Sequence, residues 1–282
     1  MKIGIVGSAE RAVAWEKNLR PHQSVSEVII AKNLKDLGTI DACILIDDSE
    51  TQLDTLTDAV KAGYHSFLVS KLPLDRTRIE KIYHASEESN VTVQFSHWPS
   101  LSPATQWMSQ KVTKPRFIHI VREIAHTDFM ERDFEFDYYW IDEVALCISW
   151  IDGATHQVDV KRTELDTDKG GAIHLFLRFD SGATAGIFVS TASPRNYHKR
   201  VVSDHTFMLD CDVQSQNVRA GQASGAGHLF FEKKVFDPSR SAELASTQFL
   251  KAIQLKHSAP FGAYDLLRTL HVVDKANKRI GV

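Results

Sequence analysis

The stretch Lys2-Ile3-Gly4-Ile5-Val6-Gly7-Ser8-Ala9-Glu10-Arg11-Ala12 decides how the rest of the chain is read. Ile3, Ile5 and Val6 predict a short buried strand, and Gly7 supplies the tight turn that ends it. Residues 12–19 then predict a helix with Val13, Trp15 and Leu19 on its buried side. A strand that turns on glycine into a helix opens a doubly wound α/β domain of the Rossmann type. The free N–H groups and positive dipole end of such a helix suit a diphosphate.

The glycine pattern of that unit, G-x-G-x-x-G, falls on Gly7-Ser8-Ala9-Glu10-Arg11-Ala12. Only the first glycine is present. Ala9 and Ala12 are small enough for close packing, but they restrict the backbone more than glycine does. Glu10 brings a carboxylate toward the phosphates, and Arg11 brings a compensating cation. Gly7, Ser8, Ala9, Glu10 and Arg11 are therefore the candidate diphosphate contacts, with a clear fold signal and a damaged cofactor signal.

Working outward, the first half of the chain alternates strands at 27–31, 41–46, 65–70 and 91–95 with helices. The helices are expected at 52–62, from Asp75 or Thr77 to about 89, and at 103–110. That alternation predicts a doubly wound parallel sheet. In such a sheet an acid after the second strand holds the ribose hydroxyls. Lys32 and Asn33 stand there instead. A lysine at that point favours a 2′-phosphate, hence NADP over NAD; its alternative is an ordinary loop lysine. The third strand ends in Asp47-Asp48, the fourth in Ser70-Lys71 and the fifth in Ser96-His97-Trp98. Strand ends face the ligand crevice of an open α/β sheet, so Lys71 and His97 are aimed there. His97 either contacts the nicotinamide side or packs as a loop aromatic.

After about residue 113 the pattern changes. Residues 116–122 alternate as a half-exposed strand does, 123–143 are dense in acids and aromatics, and 144–151 predict a buried helix ended by Gly153. Four strands are expected at 157–165, 172–179, 183–191 and 201–213, the middle two joined by Asp180-Ser181-Gly182. Residues 221–227 read as a glycine- and serine-rich loop. Helices at 241–256 and 263–278 close the chain and are expected to pack back toward the first domain. The fold class is thus α/β with two domains. Residues 1–113 form a Rossmann dinucleotide-binding-like domain. Residues 114–282 form an α/β domain with a mostly antiparallel open sheet, for substrate and oligomer contacts.

With 33 basic and 36 acidic residues among 282, nothing points to nucleic acid or a membrane surface as partner. Met1 leads straight into the first strand, so no targeting arm is expected. No apolar run approaches the ~20 residues of a membrane span. Cys43, Cys147 and Cys211 lie far apart in apolar surroundings and read as reduced core thiols of a cytoplasmic protein. His126, Asp128, Glu131 and Asp133 have a spacing that matches no metal-ligand pattern, and no metal is expected.

Five motifs then occur in order. They are Asp41-Ala42-Cys43-Ile44-Leu45-Ile46, Ala59-x-x-Ala62-Gly63-Tyr64-His65, Val69-Ser70-Lys71-Leu72-Pro73-Leu74, Leu177-Arg178-Phe179-Asp180-Ser181-Gly182-Ala183, and Phe249-x-x-Ala252-Ile253 followed by Asp265. Over essentially the whole chain this layout resembles the glucose–fructose oxidoreductase, inositol dehydrogenase and rhizopine-catabolism family. The resemblance implies an NAD(P)-dependent oxidoreductase acting on a sugar, cyclitol or related polyol. The lysine of the family's Glu-Lys-Pro carries over to Lys71, with Ser70 and Leu72 as departures beside it. Anchoring on Trp150-Ile151-Asp152-Gly153 puts Glu143 at the family's histidine and Tyr139 at its aspartate. The two are four apart and share a helix face. Glu143 is the implied general base, also holding Lys71 charged, and Tyr139 the implied proton donor; as plain helix residues both need no role. Asp47 and Asp48 replace the small uncharged residues that the family keeps near the cofactor.

These departures leave two alternatives to an enzyme. One is a non-redox small-molecule-binding or regulatory relative that has lost the cofactor. The other is a scaffold subunit of an active homologue. Ala183, Ala185, Ile187 and Val189 alternate with Thr184, Gly186, Phe188 and Ser190, so both faces of the second sheet carry apolar groups, and by analogy with the family its outer face makes a homodimer or higher homo-oligomer.

Overall fold

The computed structural model describes residues 1–131, 135–165, 170–224 and 227–281. The first part contains β1 (Lys2–Val6), α1 (Ala9–Leu19), β2 (Glu27–Ala31), β3 (Ala42–Ile46), α2 (Gln52–Lys61), β4 (His65–Val69), α3 (Arg76–Ser89) and β5 (Val93–Phe95). All five residues of β3, Ala-Cys-Ile-Leu-Ile, are buried, as an inner parallel strand requires. Asp75 starts α3 by accepting the Arg78 N–H, and Gly63 follows α2 at φ +81°, a left-handed position that favours glycine. The strands pair in parallel in the order β2-β1-β3-β4-β5. Helix α1 starts at Ala9, three residues before the expected 12, and buries Ala12, Trp15 and Leu19. Val13 is 44% exposed, against expectation. The spacing explains it, because 12, 15 and 19 make one stripe at helical period and 13 lies off it.

The chain continues through α4 (Trp98–Leu101), α5 (Pro103–Lys111), β6 (Phe117–Ala125), α6 (His126–Glu131), α7 (Phe136–Trp150), β7 (Thr155–Glu164), β8 (Gly171–Phe179), β9 (Thr184–Ser193), β10 (Tyr197–Ser203), β11 (Phe207–Asp212), β12 (Asn217–Ala223), β13 (Leu229–Val235), α8 (Ser241–Leu255) and α9 (Ala263–Ile280). Among the described residues eight strands form the second sheet, in the order β13-β12-β11-β10-β6-β9-β8-β7. Its neighbours are antiparallel except β6 and β9, which run parallel. One face carries Ile118, Ile120, Leu175, Ile187 and Leu209, and it shares a core with the apolar helix α7.

Three elements differ from their expected form. The run 201–213 is two strands, because Asp204 accepts the N–H groups of Thr206 and Phe207 and turns the chain. Of the expected loop at 221–227, residues 221–223 are instead the end of β12, which pairs with β13, while Ser224 and Gly227 lie outside the strands; residues 225–226 lie outside the described ones. Helix α7 begins at Phe136 rather than 144, since Tyr139, Trp140 and Ile141 extend its buried surface toward the N-terminus.

The chain divides into two compact units, Met1–Leu101 with Ser239–Leu267, and Ser102–Pro238 with Arg268–Val282. The division falls at Leu101 rather than 113, and a C-terminal segment returns to the first unit. Helix α8 supplies Ala245, Phe249 and Leu250 to the first unit's core, beside Ile3, Trp15, Ile44 and Phe67. The later part of α9 supplies Val272, Val273 and Ala276 to the core of the second.

Candidate functional site

In the first unit the strand order reverses between β1 and β3, so their C-terminal ends border the crevice where open α/β sheets bind ligands. Gly7 makes the turn out of β1. A Cβ there would lie 2.9 Å from Ile46 Cβ and 3.0 Å from its carbonyl oxygen, so only glycine lets the turn lie against β3. Ser8 precedes α1 in extended conformation and makes no side-chain cap. Ala9, Glu10 and Arg11 form the first turn of that helix, whose N–H groups carry the dipole's positive end.

Around this turn the predicted side chains meet. The Arg11 Nη1 donates to Asp48 Oδ2 at 2.9 Å, and the Lys71 backbone N–H donates to Asp48 Oδ1 at 3.3 Å. Asp47 accepts the Ser49 N–H at 2.8 Å. The Ser70 hydroxyl donates to the Lys71 carbonyl at 2.7 Å, and Ser96 Oγ bonds both the Ser70 N–H and the Ser70 carbonyl. Lys71 is exposed at the exit of β4, followed by buried Leu72. His97 is buried, bonded to Ser100 Oγ at 2.9 Å and stacked 4.4 Å from Phe261. Its setting is that of a packed loop aromatic. A cleft of about 840 Å³ opens from Gly7 along the ends of β2 and β3, lined by Lys32, Asn33, Lys35 and Lys61 as well as Asp36, Asp47 and Asp58.

The second unit holds a charged cluster under its sheet. Glu143 on α7 is fully buried. Its carboxylate takes Arg200 Nε at 3.1 Å and Nη2 at 3.0 Å, Arg122 Nη1 at 3.2 Å, and stands 3.0 Å from His198 Nε2. Arg200 also donates to Thr105 Oγ1 at 3.2 Å. Tyr139, one turn back on α7, lies under the Arg122 guanidinium at 4.8 Å, and its carbonyl accepts Arg122 Nη1. Tyr139 and Glu143 therefore do share a face, and one guanidinium meets both. Burial alone would raise the Glu143 carboxyl, but Arg200, His198 and Arg122 overcome it and hold the group well below the usual carboxylate range. A carboxylate so held keeps its charge and is a poor general base. Burial pushes the His198 imidazole down to about 4 against the pull of Glu143, so it is neutral at pH 7. Beside them, burial pushes the Asp142 carboxyl up to about 7, against Arg122 at 3.9 Å and with repulsion from Glu143.

Arg122, Asp142, His198 and Arg200 escape a reading that starts the strand at 201. The signal was present: His198, Arg200 and Val202 alternate onto one face, and a glutamate within an otherwise apolar helix needs buried cations. Of the residues weighed as metal ligands, Asp128 bonds Asn196 and Asp133 lies outside the described residues. Among the described residues no group of three potential ligands stands together.

No model of a known protein family matches the chain, and no curated protein does. Solved structures do. A dehydrogenase from Chromobacterium violaceum superposes with TM-score 0.80 at 16% identity, over 100% of this chain and 95% of that one. The UDP-N-acetylglucosamine 3-dehydrogenase GnnA from Acidithiobacillus ferrooxidans gives 0.79 at 14%, over 99% and 97%. An oxidoreductase from Agrobacterium radiobacter, in complex with NAD+, L-tartaric acid and magnesium, gives 0.77 at 10%, over 100% and 96%. What is shared is the fold. It is the parallel sheet joined to a mostly antiparallel one that the resemblance implied.

Proposed function

We propose that this chain is an NAD(P)-dependent oxidoreductase acting on a sugar, cyclitol or related polyhydroxylated small molecule, and that it takes NADP at least as readily as NAD. The observation that carries the reading is the Gly7 turn at the strand-order reversal, opening onto a cleft lined by three lysines and three aspartates. The residues fit a dinucleotide. The first turn of α1 and Arg11 would hold the diphosphate. Lys32, with Lys35 and Lys61 lining the same cleft, would hold a ribose 2′-phosphate. Bound there, the nicotinamide supplies the hydride acceptor or donor. Lys71 bonds the substrate hydroxyl and carries its proton. We assign Tyr139 and Glu143 to the frame of the second unit, because the Tyr139 ring and backbone carbonyl meet Arg122 and the Glu143 carboxylate meets Arg122 and Arg200.

Titration with NADPH and NADH, followed by the fluorescence of Trp15 and Trp98, tests the reading. Binding in the micromolar range is expected; no binding at millimolar concentration sinks it and favours the non-redox alternative. Lys71→Ala should abolish turnover while leaving cofactor affinity within about tenfold, ~1.4 kcal/mol. Full activity in that variant would remove Lys71 from the mechanism.

The partner we propose is a second copy of the chain. Phe117, Phe188, Met208 and Phe231 lie on the outer face of the second sheet, opposite the core, with Phe231 80% exposed. A monomer by light scattering at micromolar concentration would remove the homodimer. Among the described residues no helix is long and apolar enough to cross a membrane. Cys43, Cys147 and Cys211 are buried free thiols, which supports a cytoplasmic setting.

A further inference from the structure

We propose that Asp48 is a positioning residue that couples the diphosphate site to Lys71: it holds Arg11 in the free protein and releases it to the cofactor. The proposal rests on the dinucleotide reading above. Arg11 is the cation in the first turn of α1, yet its guanidinium is already engaged by Asp48 at 2.9 Å. The two side chains are 48% and 49% exposed. A pair so open to water is held weakly. A diphosphate offers two negative groups and bidentate acceptors, so it competes well for the same guanidinium.

The second oxygen of Asp48 accepts the Lys71 backbone N–H. One carboxylate therefore spans the turn after β1 and the exit of β4. Once Arg11 turns to the phosphate, the Asp48 charge is left near the bound diphosphate with the Lys71 N–H and solvent to answer it. Two consequences oppose each other. The carboxylate lowers cofactor affinity, and it keeps the Lys71 backbone in place. Asp47 takes no part, being turned to the Ser49 N–H.

The test is calorimetric titration of the full chain with NADPH and NADH, in the wild type and in Asp48→Asn, Arg11→Ala and the double variant. Asparagine keeps a carbonyl oxygen for the Lys71 N–H and removes only the charge. Asp48→Asn should bind the dinucleotide about fivefold more tightly at low salt, with the gain shrinking as salt rises. In the Arg11→Ala background the competition for the guanidinium no longer exists and only the repulsion between Asp48 and the diphosphate remains, so the gain should be clearly smaller than in the wild type. Hydrogen exchange at the Lys71 amide should quicken in Asp48→Ala and stay near wild type in Asp48→Asn. A merely structural aspartate would weaken binding on substitution. Unchanged or weaker binding by a folded Asp48→Asn overturns the proposal while leaving the dinucleotide reading intact. Binding by the variant alone supports it, and binding by neither protein overturns both.

Discussion

Two arginine–carboxylate pairs stand where this chain departs from the family that it resembles, and they differ mainly in water. Arg11 and Asp48 are 48% and 49% exposed; Arg200 and Glu143 are 2% and 0% exposed. The chemistry of the bond is the same. In the open crevice, solvent and salt weaken it until a ligand phosphate can exchange for the carboxylate. Under the second sheet neither partner can leave without abandoning a buried charge that is poorly compensated, Glu143 with Arg122 alone among the described residues. A departure from the family's pattern thus has two meanings. At Asp48 it marks a group that a ligand can address, and at Glu143 it marks a frame.

The largest expected effect tests that contrast. Arg200→Met leaves Glu143 buried with Arg122 and a neutral His198, and should cost about 3–5 kcal/mol of stability in denaturant unfolding. The double variant Arg200→Met, Glu143→Leu should recover most of the loss, because the stranded charge goes with its partner. Arg11→Met, the same deletion in the crevice, should cost less than about 1 kcal/mol. Equal losses at the two sites would end the comparison. A smaller effect sharpens it from the crevice side. Lys32→Asp should shift the ratio of NADP to NAD affinity toward NAD by about tenfold, ~1.4 kcal/mol. An unchanged ratio would make Lys32 a surface residue and leave the cleft to Lys35 and Lys61.

The contrast also explains what could be read beforehand. The crevice was legible because its parts are local. Gly7, Asp48 and Lys71 follow strand ends and Arg11 lies in the first turn of the helix after β1, an alternation plain in the sequence, and a parallel sheet brings all its C-terminal ends to one edge. The cluster around Glu143 was not. It depends on β10, which the apolar pattern delays to 201 because His198 and Arg200 read as polar. It depends also on the pairing of β10 with β6, which sets His198 opposite Arg122 and Arg200 opposite Ile120. These are long-range register facts. His97 shows the limit in the other direction: a strand end aims it at the crevice in the sequence, whereas packing on Phe261 buries the ring and gives it the setting of a packed loop aromatic.

The smallest effect concerns Asp142 and the pH dependence of the buried cluster. Its carboxyl is raised from 3.8 to about 7, chiefly by burial, with Arg122 from β6 and Arg200 from β10 pulling it down and Glu143 on its own helix pushing it up. Tyr138 lies in the same field. Between about pH 4 and pH 7 the native protein therefore keeps a proton there that the unfolded chain has released. Stability from this group is present at low pH and is lost as pH rises through that window. His198 runs the other way. Its folded value of about 4 lies below 6.5, so the unfolded chain binds the extra proton and stability grows with pH over the same range. In the wild type the two slopes offset each other. Asp142→Asn removes the first and leaves the second. Its melting temperature should climb more steeply than the wild type's between pH 5 and 7 and exceed it by about 3 °C at pH 8, converging toward pH 4. Parallel melting curves would mean that Asp142 is ionised in the native protein throughout. Arg122 and Arg200 would then outweigh burial at Asp142, as they do at Glu143.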